Sequence, residues 1–569
     1  MKITAIENCW EQHLADIGLT VQADPAVAGQ ALVSTGGKEP VRLRIAGSSP
    51  LRMDQESAVQ AATGLMHMYG LREGAGPRRL GLPYASVNTA VMAAQGIYAS
   101  LIGQARGSTR GSTLTMNPGA GVLLGQSHHV ELAEEGTDVE AYGTGEPPPF
   151  RTQDGHLIEI ETLKPERWDA FWRRLGADRR DVGRAWRAHE ARQWTACFRA
   201  PESLHRAALR PLAYIQAVAE REGVCIMQLD GGIADQLTEP WVNAPSPTRR
   251  RAMPHRESRI SPKWLPLYGM TVVEASHFLQ GPYAGRVLAL LGAQVIRLEP
   301  PAGDPARGIE PVVNGCSVSF RALHRGKATL NVDLTNTHDR HLVHELIADA
   351  DVFVTNWSPG LLGRTHLDYT TLHHVNPSLV YGQASGGMPD TEGWPHTATD
   401  WSIQAASGMA RALRPEEEDP AVSQMTLLDP LGGMLCAEGV LAALLHREDS
   451  GQGGLVETSL RHAARLLMSF PYVRGGPLFH PLPTKDGYLA VDDSPQLRAL
   501  LDMSESSDRL AFTQVLASKP AAEWEKELTE AGAVATHARS MAEVLCDPPD
   551  TNWLRFHRGI QAELPWRMS

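Results

Sequence analysis

An aspartate followed by a proline stands at the head of an apolar segment, TLLDPLGGMLCAEGVLAALLHRE, at residues 426–448. Proline suits the first turn of a helix and aspartate suits the cap before it, so Asp429 and Pro430 predict a helix start. A carboxylate can also act as a covalent nucleophile. From these residues alone, both roles of Asp429, helix cap and nucleophile, stay open.

The totals of the sequence limit the classes of protein that it can encode. A chain of 569 residues predicts two or more domains, and 42% hydrophobic with 21% charged residues is typical of a soluble globular protein. The net charge of −12 argues against a nucleic-acid partner. The six cysteines lie far apart with no C-x-x-C pair, which predicts neither a disulfide framework nor a metal site. With no signal-like N-terminus and no apolar run of about 18 residues, we expect a cytoplasmic protein without a membrane partner.

The chain partly repeats itself. Four segments of the first half recur in the same order in the second half. In the last pair, each segment predicts a strand-turn-strand unit with an Asp-Gly turn. The matched segments are HLADIGLTVQ (13–22) with VLALLGAQVI (287–296), VQAATGLM (59–66) with IQAASGMA (403–410), MAAQGIYASLIGQARG (92–107) with LCAEGVLAALLHREDSGQG (435–453), and FRTQDGHLIEI (150–160) with LPTKDGYLAV (482–491).

These echoes divide the chain into two unequal copies. Residues 1–243 form a truncated first copy, which lacks much of the front portion of the second. Residues 244–263 are rich in Pro, Ser and Arg and predict an exposed linker. Residues 264–569 form the complete copy, with a large part to about residue 465 and a small domain from about residue 466.

The complete copy alternates strand and helix patterns, which predicts a Rossmann-like open parallel sheet in an α/β fold. The turn that enters its first helix, LQGPYAG, does not fit G-x-G-x-x-G, so a nicotinamide cofactor is not expected. The predicted elements are LYGMTVVEAS, GPYAGRVLALLGA, QVIRLEPP, KATLNVDL, DRHLVHELIADA and DVFVTNW, in that order.

Six motifs follow one another in the second copy: GPYAGRVLALLGAQVIRLEPPAGDPAR, HRGKATLNVDL, ADVFVTNWSPGLLGR, NPSLVYGQASGG, DWSIQAASG and LLDPLGGMLCAEGVLAALLHREDSGQG. In these motifs the second copy resembles the family III CoA-transferases, which include formyl-CoA transferase, carnitine CoA-transferase and the related α-methylacyl-CoA racemase. The first copy resembles only the later portion of the sequences of that family. The resemblance implies a large Rossmann-like domain with a smaller α+β domain.

The resemblance also assigns chemistry to Asp429, because family members use an aspartate at this position to attack an acyl-CoA thioester. We expect the helix N-terminus, which stabilises negative charge by about 0.3–1 kcal/mol, to help keep Asp429 ionised. We expect Gly432 and Gly433 to allow close approach and their N–H groups to support an oxyanion. The repeat places Ser86 opposite Asp429, and serine can cap a helix but cannot form an anhydride.

CoA enters as a substrate, and no tightly bound cofactor is expected. In the family its adenine and phosphates lie along loops at the carboxyl ends of the first strands. The resemblance therefore assigns CoA contacts to Phe278, Leu279, Gln280, Arg325, Lys327, Asn356, Trp357 and Arg364.

The chain departs from the family pattern at three positions. Pro300 stands where formyl-CoA transferases have an arginine, and Leu279 where they have a glutamine. Thr399 stands where racemases have a histidine, immediately before Asp400. Without that histidine, racemisation loses half of its acid–base pair, so racemisation is disfavoured and Asp400 is expected to orient a helix start.

The resemblance predicts CoA transfer between an acyl-CoA and a small carboxylic acid through a covalent aspartyl intermediate. Two alternatives stay open: an acyl-CoA isomerase, racemase, lyase or hydrolase on the same scaffold, and a non-catalytic CoA-binding protein. Because family members are interlinked homodimers, the first copy is expected to take a partner's place in an internal pseudo-dimer, with a homodimer as the alternative.

Overall fold

The computed structural model describes most of both copies. The described residues are 6–24, 30–45, 53–71, 74, 76–108, 111–136, 145–192, 198–232, 239–245, 265–387, 394–550, 554–556, 560–562 and 566–568. The predicted linker, 244–263, lies outside them except for its first two residues.

The first copy contains ten described helices and eight described strands. The helices are α1 (Ile6–Asp16), α2 (Glu56–Ala62), α3 (Leu65–Gly70), α4 (Tyr84–Ala105), α5 (Pro118–Gly125), α6 (Ser127–Glu134), α7 (Pro165–Leu175), α8 (Arg179–Ala191), α9 (Glu202–Ala207) and α10 (Leu212–Glu222). The strands are β1 (Thr20–Ala23), β2 (Ala31–Ser34), β3 (Val41–Ile45), β4 (Thr113–Met116), β5 (Phe150–Arg151), β6 (Leu157–Glu161), β7 (Cys225–Gln228) and β8 (Val242–Pro245).

The second copy follows with the remaining described elements. Its helices are α11 (Gln280–Leu290), α12 (Val318–His324), α13 (Thr337–Ala348), α14 (Pro359–Thr365), α15 (Tyr369–Val375), α16 (Asp400–Ala406), α17 (Met409–Ala412), α18 (Leu428–Ser450), α19 (Leu460–Ser469), α20 (Pro495–Leu500), α21 (Arg509–Leu516), α22 (Ala521–Glu530) and α23 (Met541–Cys546). Its strands are β9 (Thr271–Ala275), β10 (Gln294–Glu299), β11 (Val312–Val313), β12 (Cys316–Ser317), β13 (Ala328–Asn331), β14 (Val352–Thr355), β15 (Val380–Ser385), β16 (Gly454–Ser459), β17 (Leu482–Pro483), β18 (Tyr488–Val491), β19 (Ala535–His537), β20 (Leu554–Phe556), β21 (Ile560–Ala562) and β22 (Trp566–Met568).

The largest sheet has seven strands in the order β13-β10-β9-β14-β15-β16-β8. The six strands from the second copy run parallel, and β8 pairs antiparallel with β16 at the edge. A strand such as β14, with all four of its residues buried, fits a parallel sheet that is covered on both faces. The predicted Rossmann-like α/β arrangement is confirmed, and the loops that follow its parallel strands meet at one edge.

The two copies exchange their last strands. The first copy has its own sheet in the order β1-β2-β3-β4-β22, so the final strand of the second copy completes it. In return, β8 from the end of the first copy closes the sheet of the second. In each large sheet, backbone hydrogen bonds therefore join strands from the two halves of the chain.

Two smaller sheets each pack on a helix of the other copy. Sheet β5-β6-β7 belongs to the first copy but contacts α16 of the second, while β18 and β19 of sheet β17-β18-β19 contact α2 of the first. Both sheets contain the predicted Asp-Gly hairpins, with β5 antiparallel to β6 and β17 antiparallel to β18. The strand-turn-strand prediction is confirmed in both copies.

The long helices α4 and α18 pack against each other at the centre, and α11 packs on α18. By length and composition α18 could cross a membrane, although Glu438 interrupts its apolar run. However, 89% of its most apolar window is buried inside the protein, as is usual for a core helix.

Candidate active site

Asp429 lies inside the first turn of α18 rather than at its cap. The helix begins at Leu428, and the residue before it, Leu427, makes no side-chain cap bond. The prediction that Asp429 caps this helix is therefore wrong, because an acceptor from another helix takes that role.

That acceptor is Asp400, the first residue of α16. Its Oδ2 accepts hydrogen bonds from the backbone N–H groups of Leu428 and Asp429, both at 2.8 Å. Its Oδ1 accepts from Gln404 Nε2 at 2.6 Å, and the residue is 1% exposed. A carboxylate from outside thus satisfies the free amides of the α18 N-terminus, where negative charge is favoured. The prediction that Asp400 orients a helix start is confirmed.

The two carboxyls have shifted pKa values. Burial raises the pKa of Asp400 to about 6, although the three hydrogen bonds that its carboxylate accepts act to lower the pKa. Burial, followed by the nearby charge of Asp400, raises the pKa of Asp429 well above its usual range. Among the described residues, none donates a hydrogen bond to the Asp429 carboxylate. The negative charge therefore favours Asp400 and the proton favours Asp429.

The direction of this pKa shift opposes the expected help of the helix N-terminus in keeping Asp429 ionised. An N-terminus contributes about 0.3–1 kcal/mol, and burial beside a second carboxylate outweighs it. The first-turn amides of Leu428 and Asp429 are also already bonded to Asp400.

The first copy repeats this arrangement without the nucleophile. Glu56, the first residue of α2, accepts from the backbone N–H groups of Ala85 and Ser86 at 2.9 and 2.7 Å. Gln60 donates to Glu56 at 2.8 Å, as Gln404 does to Asp400. Ser86 occupies the position of Asp429, but it is the third residue of α4 and not its cap, so that part of the prediction is wrong.

The position of Ser86 is closed as well as unreactive. Ser86 is 0% exposed, and Cys9 of α1 lies against it within the core. Burial, followed by the charge of Glu56, raises the pKa of Cys9 to about 12, so the thiol stays protonated. Within the described residues, only the second copy combines the capping acid with a second carboxylate.

The predicted phosphate cations are paired with carboxylates. Arg325 donates to Glu131 of the first copy at 2.6 Å. Lys327 Nζ donates to Glu274 at 2.8 Å, both side chains are buried, and burial lowers the pKa of Lys327 to about 8. Both cations are thus already paired with carboxylates, and the ammonium group of Lys327 is buried as well. Arg364, in contrast, lies exposed on α14.

Aromatic side chains gather at the carboxyl edge of the large sheet. Asn356, after β14, accepts from His277 N–H at 2.8 Å and donates to His277 C=O at 2.7 Å, which ties the loops after β9 and β14 together. Trp357 stacks on the His277 ring with centroids 5.2 Å apart. Phe278 is 48% exposed beside them, with a positive φ of 56°. The structure therefore brings Phe278, Asn356 and Trp357 together, as the resemblance implies for CoA contacts.

The beginning of α11 crosses the beginning of α18. Leu279 is 1% exposed, and Gln280 Nε2 donates to Ser385 C=O at 3.1 Å, so both have structural roles at this crossing. A Cβ on Gly433 would lie 2.2 Å from Gln280 O, and one on Gly432 would lie 2.8 Å from Gln280 Nε2.

The crossing explains both glycines by packing. As the fifth and sixth residues of α18, Gly432 and Gly433 direct their N–H groups to helical carbonyls four residues earlier. The prediction that these groups support an oxyanion is therefore not met by this geometry.

Sequence reasoning missed two residues near the start of α16, Glu161 and Arg192 of the first copy, and it did not predict that Thr399 caps this helix. Thr399 caps α16, and its hydroxyl donates to Glu161 at 2.9 Å. Two acids at alternate positions of an apolar strand, Glu159 and Glu161 in LIEIE, were the available signal, since buried charges need partners. Within the described ranges, no group of three His, Cys, Asp or Glu side chains could hold a metal ion.

Comparison with known proteins defines the class. The family model of CoA-transferase family III matches residues 47–257 and 267–487. Together the two segments cover well over half of the chain, so this protein belongs to CoA-transferase family III. The two matches also support a duplicated arrangement within one chain.

Individual relatives match a smaller part. The acetyl-CoA:oxalate CoA-transferase of Acetobacter aceti is 33% identical over 34% of this chain and 51% of its own. The succinate–glutarate CoA-transferase of Agrobacterium fabrum is 29% identical over 42% and 66%. A crystal structure of a CAIB/BAIF family protein from Brucella suis is 26% identical, covers 50% of this chain and 87% of that chain, and has a TM-score of 0.45. The chain thus spans about half the length of curated relatives such as the first.

Proposed function

We propose that this protein transfers CoA from an acyl-CoA to a small carboxylic acid, with Asp429 as the covalent nucleophile. One observation carries the proposal: of the two matched helix starts, only α18 presents a second carboxyl, Asp429, beside the acid that binds its amides. The matched Ser86 supplies no such group, so the chemistry belongs to the complete copy. Membership of the family supports CoA transfer as the reaction class.

The reaction has four balanced steps. The Asp429 carboxylate attacks the thioester carbonyl carbon, the C–S bond breaks, and CoA leaves as its thiolate while a mixed anhydride forms. The thiolate then attacks the Asp429 carbonyl of the anhydride, which releases the donor acid and leaves an aspartyl-CoA thioester. The acceptor carboxylate attacks that thioester to form a second anhydride and free the thiolate. Finally, the thiolate attacks the new acyl carbon, which yields the product and restores Asp429.

Asp400 has a positioning role in this scheme. Its hydrogen bonds to the two N–H groups hold the first turn of α18, and with it the backbone of Asp429. Because only the ionised form of Asp429 attacks, the raised pKa of that carboxyl limits the reactive fraction at low pH. The aromatic residues Phe278 and Trp357 and the exposed Arg364 are the side chains that we assign to CoA contact.

The alternatives receive less support. An acyl-CoA racemase would need an acid–base pair, and Thr399 offers only a hydroxyl that already donates to Glu161. A non-catalytic CoA-binding protein would not need a half-buried carboxyl, Asp429, beside the buried carboxyl of Asp400, an arrangement that costs stability.

The test replaces the nucleophile with the residue of the first copy. Asp429→Ser and Asp429→Ala should abolish exchange between a panel of acyl-CoAs and acids, read by mass spectrometry, while Ser86→Ala serves as the matched control with unchanged exchange. Hydroxylamine added during turnover should modify Asp429 in the wild type. Exchange that persists in either Asp429 variant, or the absence of any modification, would overturn the proposal.

We further propose that one chain forms an internal pseudo-dimer, supported by the exchange of β8 and β22 between the sheets. Light scattering should then give the mass of one chain, 61.9 kDa. A mass of two chains would contradict this assembly.

A further inference from the structure

The small sheet of the first copy packs on α16, the helix that begins with Asp400. The contact has an apolar part that joins the two copies. Its buried members are Leu157, Cys225, Met227 and Leu229 from the first copy, with Trp401, Ala405, Ala410 and Val422 from the second.

A polar contact stands at the end of this interface, next to Asp400. Thr399 Oγ1 donates to Glu161 Oε2 at 2.9 Å. As the helix cap, Thr399 Oγ1 also accepts from Ser402 N–H at 3.3 Å. The Thr399 hydroxyl therefore caps the N-terminus of α16 and also binds this helix to the first copy. Thr399 precedes Asp400 directly in the chain, so a movement of one displaces the other.

Glu161 has two further partners within the first copy. Arg192 Nη2 donates to Glu161 Oε2 at 2.6 Å, and His189 lies 3.1 Å from Glu161 Oε1. The Arg192 guanidinium also lies 4.3 Å from the ring centre of Trp401 in α16. Although burial opposes ionisation, Arg192 and His189 together lower the pKa of Glu161 to about 2, so it accepts as a carboxylate. A charged acceptor makes a stronger hydrogen bond than a neutral one.

We infer that Glu161 of the first copy is a positioning residue for the reaction in the second, acting through Thr399 on Asp400 and thereby on the first turn of α18. The inference rests on the proposed function. It gives the first copy a direct part in the chemistry, although it has lost its own nucleophile.

The degenerate half contains a similar link, which provides a matched control. Ser57 of α2 donates to Asp492 at 2.8 Å, and Arg79 donates to the other oxygen of Asp492 at 2.9 Å. This acid, arginine and hydroxyl are buried, as are Glu161 and Arg192, whereas Thr399 is half-buried. They lie near Glu56 and Ser86 instead of Asp400 and Asp429. A purely structural role predicts that the two links matter equally.

The experiment measures kcat and KM for acyl-CoA exchange together with thermal unfolding. Glu161→Gln and Thr399→Val should each lower kcat by roughly 10- to 100-fold, because displacements near 1 Å at a reacting group have such effects. KM for the acyl-CoA should stay within about twofold, since no binding contact is removed. Thr399→Ser keeps both the cap and the donated hydrogen bond and should restore kcat.

Asp492→Asn is the control, expected to lower the unfolding temperature about as much as Glu161→Gln while kcat stays unchanged. Equal kcat losses in the two variants, or a failure of Thr399→Ser to restore activity, would overturn the inference. If Glu161→Gln does not fold, the Thr399 pair decides by itself. If Asp429→Ala still exchanges CoA, the proposed function fails; if it does not and Glu161→Gln matches Asp492→Asn, only this inference fails.

Discussion

Gly433 allows α18 to cross α11, and adding one methyl group there should separate the helices. A Cβ at this position would lie 2.2 Å from Gln280 O and 2.6 Å from Tyr283 Cβ. Both are fixed to the backbone and cannot rotate away. Ordinary contact begins at 3.4 Å, so α18 must shift by about 1 Å in Gly433→Ala.

The magnitude follows from two opposed terms. Alanine favours a helix over glycine by about 1 kcal/mol, whereas overpacking a dense core costs about 1–3 kcal/mol and sometimes more. We expect a net loss of up to about 2 kcal/mol in unfolding free energy, since the obstruction is rigid. Because Asp429 lies one turn earlier on the same helix, exchange should also fall by roughly 10- to 100-fold.

Gly432→Ala is the matched control. Its Cβ would approach Gln280 Nε2 at 2.8 Å, which is the end of a flexible side chain. Urea unfolding should place this variant within about 1 kcal/mol of the wild type, and its exchange rate should be close to normal. If Gly433→Ala proves as stable and as active as Gly432→Ala, the packing explanation of both glycines is refuted.

Three further outcomes follow from the charges. The exchange rate should decline on acidification well above the ordinary aspartate pKa of about 4, because burial and Asp400 raise the pKa of Asp429; a rate that is level down to about pH 5 would contradict this. Asp429→Asn should stabilise the fold, and more so at about pH 8 than at about pH 5. The reason is that a carboxyl whose pKa is raised in the folded state makes the wild type lose stability as pH rises. A difference in urea midpoint between variant and wild type that is equal at both pH values would refute that sign. Lys327→Met should cost about 3 kcal/mol, because the buried Glu274 would lose its nearer cation and keep Arg297 at 3.6 Å. Arg364→Met, at an exposed position, should cost under about 0.5 kcal/mol; similar unfolding midpoints would show that the pair is unimportant.

Local patterns predicted most of the second copy. The Val-rich strands were recognisable because burial on both faces of a parallel sheet requires continuous apolar runs. The Asp-Gly hairpins were recognisable because a tight turn demands residues that accept unusual backbone angles, as Gly155 does with its φ of 90°.

The partners of the charged residues could not be predicted in the same way. The motif HRGK placed Arg325 and Lys327 at the expected edge, yet their carboxylates, Glu131 and Glu274, lie 194 and 53 residues away in the chain. The link from Glu161 to Thr399 spans 238 residues. No spacing rule relates such pairs, since the fold alone decides which charges are buried together.

The sequence by itself predicted two unequal copies of one fold, and it determined that Asp429 has a carboxyl where Ser86 has a hydroxyl. These are properties of residue type and order, which are visible in a line of letters. Only the tertiary structure decided that Asp400 binds the start of α18, that burial raises the pKa of Asp429, and that Glu161 of the first copy contacts Thr399 beside Asp400. Those outcomes depend on burial and on contacts between distant segments, and both arise only when the two halves fold through one another.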